Sequence, residues 1–166
     1  MAKKVIVFAG LIIIVVTVTV AFLVNETSKE QSGQPATTLL DTGKEPTEAE
    51  IQQAKEQLGL DNHPTADKLM DVVHKMTHQK VRADEKWGYI QMTRANILAV
   101  HEAIEDSAAE NKDVLLGITS RWMENDFSNI VEGHNAVWKL QEGSVGKAEG
   151  ILSESEEKEI IAEQFE

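Results

Sequence analysis

Cysteine is absent from the 166 residues, which excludes disulfides, thiolate metal sites and lipid attachment through an N-terminal cysteine. Packing alone must stabilise whatever folds. Aromatics are scarce, with three Trp, one Tyr and four Phe. Each enclosed tryptophan, burying on the order of 150–250 Å², therefore weighs heavily in the core. Basic residues are also in deficit, 16 against 28 acidic ones. Such a surface repels polyanions, and the one basic concentration (Lys75, Lys80, Arg82, Lys86) is diluted by Asp84 and Glu85. Nucleic acid is not an expected partner. Finally, no run alternates apolar and polar residues long enough to require a strand.

What the chain does contain is one long apolar stretch. Residues 5–24 carry no charge and follow Lys3 and Lys4. At ~1.5 Å per residue a helix of this length reaches roughly 30 Å, the thickness of a bilayer's hydrocarbon core. The positive N-terminus is then expected in the cytoplasm, with the rest of the chain outside the cell membrane, held by a single-pass transmembrane anchor. A cleaved signal peptide is the competing reading, with small residues at Thr19-Val20-Ala21. The apolar run continues through Phe22-Leu23-Val24, however, and exceeds the ~7–15 residues of a signal core. Residues 25–46 are rich in Thr, Ser, Gln, Glu, Gly and Pro and read as a flexible tether. Residues 47–166 then form one extracytoplasmic domain. Without Lys3 and Lys4, 14 basic residues face 28 acidic ones, a balance that suits solubility.

The domain reads as all-α, a small compact bundle of about five to six helices. Thr47 and Glu50 have the capping-box spacing ahead of a short helix ending at Gly59. Pro64 suits the first turn of a second, carrying Ala66, Leu69, Val72, Val73 and Met76. Thr93 caps a third with Ile97, Val100, Ile104 and Ala108, and a fourth begins near Lys112 with Val114, Leu115, Ile118 and Trp122. Asp126 is placed as the cap of a fifth, running from Phe127 through Trp138 and Leu140 to Gly143. Ser153 and Glu156 repeat the capping box before Ile160, Ile161 and Phe165. Each stripe is narrow, so the helices must bury their apolar faces against one another. All three tryptophans are expected in or near this core, Trp87 least so, because it lies in the irregular connection 79–91 beside Gly88 and Tyr89.

Two stretches carry a resemblance, Met76-Thr-His-Gln-Lys-Val-Arg-Ala-Asp-Glu-Lys-Trp-Gly88 and Asn125-Asp-Phe-Ser128 followed by His134-Asn-Ala-Val-Trp-Lys-Leu-Gln-Glu-Gly143 and the residues to Ser153. Together, over residues 64–165, they resemble a domain-of-unknown-function family of small membrane-anchored proteins from endospore-forming Gram-positive bacteria. The chain departs from that family's pattern at Glu142, where glycine is expected, and at Glu154, where proline is. The resemblance implies an architecture and an address. It implies no catalytic residues.

The candidates for chemistry come from the residues themselves. His74 and His78, four apart, share a helical face and can share an ion, but Lys-Met-Thr between them lacks the glutamate of a zinc-protease motif. Two more ligands would be needed, from His63, His101, His134 or a carboxylate, and sequence does not say which come close. The pair therefore reads as solvated, and no metal or cofactor is assigned. His134-Asn135 is bracketed by Ile130, Val131, Val137 and Trp138, so at least one of the two faces the interior and needs hydrogen-bond partners. It reads as a satisfied pair docking the fifth helix on the connection 79–91 or the turn 143–150, with a pocket floor as the alternative. That turn imitates a phosphate loop only loosely, since Gln141 and Ala148 stand where Gly and Ser/Thr are required. Serines lack a nucleophile-elbow setting.

Trp87, Tyr89, His134, Asn135 and Trp138 are thus the candidate binding residues, and no catalytic residue is assigned. The expected role is a binding or regulatory module contacting an envelope protein or a second copy of itself. The alternative is an envelope hydrolase or metal-dependent enzyme using His78, His134 and carboxylates. An apolar patch without a polar cleft would favour the first, and converging histidines with displaced titration the second.

Overall fold

The computed structural model describes residues 44–166. The expected anchor at 5–24, and the tether up to residue 43, lie outside the described residues. Among the described residues no helix is long and apolar enough to cross a membrane. Six helices appear in order: α1 Glu48–Leu58, α2 Ala66–Thr77, α3 Arg94–Glu105, α4 Lys112–Met123, α5 Ile130–Leu140 and α6 Glu154–Phe165. Two short strands, β1 Val81–Arg82 and β2 Gly150–Ile151, pair antiparallel with Val81 opposite Ile151 and Arg82 opposite Gly150. Two residues each are too few to leave an alternating signature, so the sequence gives no sign of them.

Four helix starts follow the capping chemistry, whereas α4 and α5 begin after Asn111 and Asn129 without a side-chain cap bond. Thr47 and Ser153 form complete capping boxes with Glu50 and Glu156, and Thr93 accepts from the Asn96 amide. At α2 the cap is Thr65, which places Pro64 one residue before the cap rather than in the first turn. The largest departure is α5. Asp126 does not cap it; its Oδ1 accepts from the Ser128 amide 3.0 Å away and closes a local turn, so the helix begins only at Ile130. Phe127 reaches the core from this turn. Ala108 likewise lies beyond the end of α3.

One hydrophobic core joins α2, α3, α4 and α5, with Leu69, Val73, Met76, Ile97, Val100, Ile104, Leu115, Trp122, Ile130 and Val137 in a single cluster. A smaller cluster of Ile51, Ala54 and Ala99 attaches α1 to α3. Trp122 is fully enclosed, as expected. Trp138 is only half-buried and Trp87 is 73% exposed, so neither belongs to the core.

The C-terminal helix is held differently. Glu157 on α6 projects into the interior, where its Oε1 accepts from Lys80 Nζ and Gln79 Nε2, both at 2.7 Å. Lys80 and Glu157 are each only 2% exposed. Burial pushes the Lys80 ammonium below its ordinary pKa, against the opposing pull of Glu157. Gln79 completes the arrangement, its Oε1 accepting from the Met92 amide at 2.9 Å, and the Leu152 amide donates to Lys80 O at 2.9 Å beside the strand pair. Glu157→Leu alone removes the carboxylate from a buried ammonium and should cost about 3–5 kcal/mol, whereas Lys80→Met combined with Glu157→Leu should recover most of that loss. Urea denaturation of the two variants distinguishes them; equal losses would contradict the pairing.

Candidate functional site

Helix α2 packs against α5, and three histidines meet in that seam. His74 lies in the last turn of α2, His78 caps its end, and His134 comes from α5, sixty residues away in sequence from His74. One ring nitrogen from each lies within 4.8 Å of the others, and among the described residues this is the one group of side chains spaced to share a metal ion. His74 Nε2 and His134 Nε2 are 3.0 Å apart. The rings pack edge to face, with centroids 4.5 Å apart for His74 and His134 and 4.8 Å for His74 and His78.

Behind each ring stands an oxygen. His78 Nδ1 donates to Gly88 O at 2.6 Å, His74 Nδ1 to Gln141 Oε1 at 2.6 Å, and His134 Nδ1 to Asn135 Oδ1 at 3.2 Å. Asn135 is itself locked, since its Nδ2 donates to Ala148 O at 3.0 Å and its Oδ1 accepts from the Ala148 amide at 2.9 Å. Asn135 therefore takes the docking role expected of the pair, on the turn 143–150. His134 is enclosed, as a docking histidine would be, yet it bonds to side chains. The sequence reading missed the convergence: His78 and His74 are not a solvated pair, because α5 brings His134 against them.

The cluster opens into a cleft of about 450 Å³ whose lining includes His74, His78, Trp87, Trp138, Glu85 and Glu142. Its two walls are backbone loops built around glycine. A Cβ on Gly143 would sit 2.3 Å from Trp138 Nε1, so the indole lies flat against bare backbone, and the same Nε1 donates to Val145 O at 2.7 Å. Gly146, at φ 77, presses on the opposite wall, where a Cβ would fall 2.3 Å from Glu85 O. Between these glycines and the helix, Glu142 adopts a left-handed φ of 56 at the cleft margin, a conformation costly for a residue bearing a Cβ.

Four of the five sequence candidates, Trp87, His134, Asn135 and Trp138, thus lie in the cleft, beneath it or in its wall. Tyr89 stands behind, its ring 5.7 Å from that of His78. The residues missed outright are Gln141 and Gly88, which contribute through contacts between elements that no local motif announces; His74 and His78 were weighed only as a pair on one helix, without the partner that α5 supplies.

Burial drives all three imidazoles toward the neutral form. His78 and His134 are each lowered to about 4, mainly by desolvation and then by the neighbouring imidazoles, and His74 is lowered by desolvation. Lys86, whose Nζ donates to His78 O and Val81 O at 3.1 Å, adds a further disfavouring charge to His78 and His134. The folded protein consequently holds fewer protons on these rings than the unfolded chain between about pH 6.5 and 4. Their contribution to stability is complete above 6.5 and is lost as pH falls toward 4. Glu156, held at about 2, loses its contribution only below the ordinary 4.5, so the interval above 4.5 isolates the histidines. Urea midpoints measured in metal-free buffer should fall steadily from pH 6.5 to 4.5, and His78→Gln should flatten the profile; a flat wild-type profile would refute the assignment.

No curated protein and no solved structure matches the chain. Residues 73–162 match the model of a family of unknown function, DUF6241, a span that holds every member of the histidine cluster and both cleft tryptophans. The chain belongs to this family of unknown function.

Proposed function

We propose that the protein is a single-pass, membrane-anchored binding module whose domain stands outside the cell membrane and receives its ligand in the cleft between Trp87 and Trp138. The observation that carries the proposal is the cleft itself, which sets an exposed indole and a backbone-pinned one beside a polar floor. Aromatic walls supply broad apolar contact at low conformational cost, and a few fixed polar groups give orientation. A projecting side chain of an envelope protein, or of a second copy, suits such a cleft better than a flat surface does. Membrane placement is supported by the uncharged run at 5–24 behind Lys3 and Lys4, and the acidic domain agrees with a role remote from nucleic acid.

A second reading is favoured by the converging histidines: a metal-dependent enzyme of the cell envelope, with Glu85 and Glu142 as carboxylates at the same cleft. It requires an ion among the imidazoles as well as a substrate.

Because the chain has no cysteine, placement can be tested with one introduced thiol. Val114→Cys, at an exposed position away from the cleft lining, should react with a membrane-impermeant maleimide in intact cells, and protection until lysis would overturn the topology. A photo-crosslinking residue in place of Trp87 should give a discrete adduct that the same residue at Val114 does not, and that Val145→Glu in the cleft wall weakens at least several-fold. Equal adducts from both positions would remove the cleft as the contact.

A further inference from the structure

The tautomers of two rings are fixed by their neighbours. Gly88 O is a carbonyl and can only accept, so His78 Nδ1 carries the proton. Asn135 Oδ1 is identified as the oxygen by its bond from the Ala148 amide, while the Asn135 nitrogen donates to Ala148 O, so His134 Nδ1 carries the proton too. In the neutral rings both Nε2 atoms are then bare lone pairs. Gln141 Oε1 stands 2.6 Å from His74 Nδ1, and with that oxygen accepting, His74 Nε2 faces His134 Nε2 at 3.0 Å as a second lone pair; with the amide turned so that its nitrogen donates, His74 Nε2 carries a proton and bonds to His134 Nε2. A cation can take the place of that proton and draw on all three rings.

From this geometry we propose that His74, His78 and His134 bind one divalent transition-metal ion of the zinc class through Nε2, leaving a coordination position open to the cleft. An outer oxygen on Nδ1 is the usual accompaniment of a metal-bound imidazole, because it fixes the tautomer and aims the ring. All three rings have one. An all-imidazole set without thiolate or carboxylate suits zinc, copper, nickel or iron rather than magnesium or calcium. With bonds of about 2.0–2.1 Å, tetrahedral coordination separates nitrogens by roughly 3.3 Å. The His74–His134 distance is already close to that, and one ring nitrogen of each histidine lies within 4.8 Å of the others.

Three protein nitrogens leave a tetrahedral ion one position for water or ligand. Its direction follows from burial. His134 is fully enclosed beneath the ion, while His74 and His78 line the cleft, so the remaining position faces Trp87 and Trp138. The alternative is a stacked histidine cluster that serves packing alone. It predicts a loss of stability on substitution but no stoichiometric metal uptake. The metal site also stands independently of where the domain resides relative to the membrane.

The test uses the detergent-solubilised full-length chain, with zinc alone titrated against a chromophoric chelator and cobalt(II) as the spectroscopic probe. One zinc per chain is expected, with His74→Gln and His78→Gln each weakening it at least 100-fold and His63→Gln leaving it unchanged. Gln141→Leu removes no ligand, so under the proposal it should weaken binding about 10- to 100-fold, whereas a packing role leaves metal affinity untouched. Cobalt should give the intense visible bands of four-coordination, and added azide should shift them through the open position. Circular dichroism of each variant separates lost binding from lost folding; should His78→Gln unfold, His74→Gln and Gln141→Leu decide the matter. Absence of stoichiometric zinc in the folded wild type, or full affinity in folded His74→Gln, would overturn the site. Binding with no azide response would overturn the open position.

Discussion

The meeting of His74 and His134 across the seam between α2 and α5 is the constraint around which the domain is organised. A fully enclosed imidazole on an otherwise apolar helix face has no solvent to bond. It must find fixed partners or destabilise the fold. For the cluster as a whole the partners are drawn from every nearby element: Gln141 just past α5 for His74, Asn135, tied to the turn before β2, for His134, and Gly88 in the connection after β1 for His78. Each tie also positions a wall of the cleft, since Gly88 adjoins Trp87 and Gln141 adjoins the Glu142-Gly143 corner on which Trp138 rests. Register in the core and shape at the surface are therefore set by the same few hydrogen bonds.

Much of the scaffold was legible because it is local chemistry. A Thr or Ser with Glu three residues on announces a helix start, and the boxes at Thr47 and Ser153 form as the spacing predicts. The order and number of helices follow from such signals. Where they failed, a competing local bond won: Asp126 uses its carboxylate on the Ser128 amide and leaves α5 to start without a side-chain cap. The tryptophans show the limit of composition. All three rings were expected in or near the core, Trp87 least so, but only Trp122 lies on a face turned inward by its helix, whereas Trp87 sits on a loop whose position depends on long-range contacts.

The site was half visible. A pair four residues apart on α2 is plain in the sequence, and so is a polar pair within an apolar stretch of α5. Their union is not, because it depends on how two helices cross, which no spacing records. Glu142 is instructive in the opposite sense. The resemblance noted for the chain anticipates glycine there, and the backbone at that point is left-handed with φ 56, a conformation that glycine adopts more readily than glutamate.

The Lys80–Glu157 pair reaches across 77 residues to α6. Until that helix emerges, Lys80 lacks the carboxylate that offsets its burial, and the segment joining α2 to β1 lacks one of the contacts that hold it inward. Sealing of that interior is consequently a late event in synthesis, because it waits on a helix made well after the segment it covers.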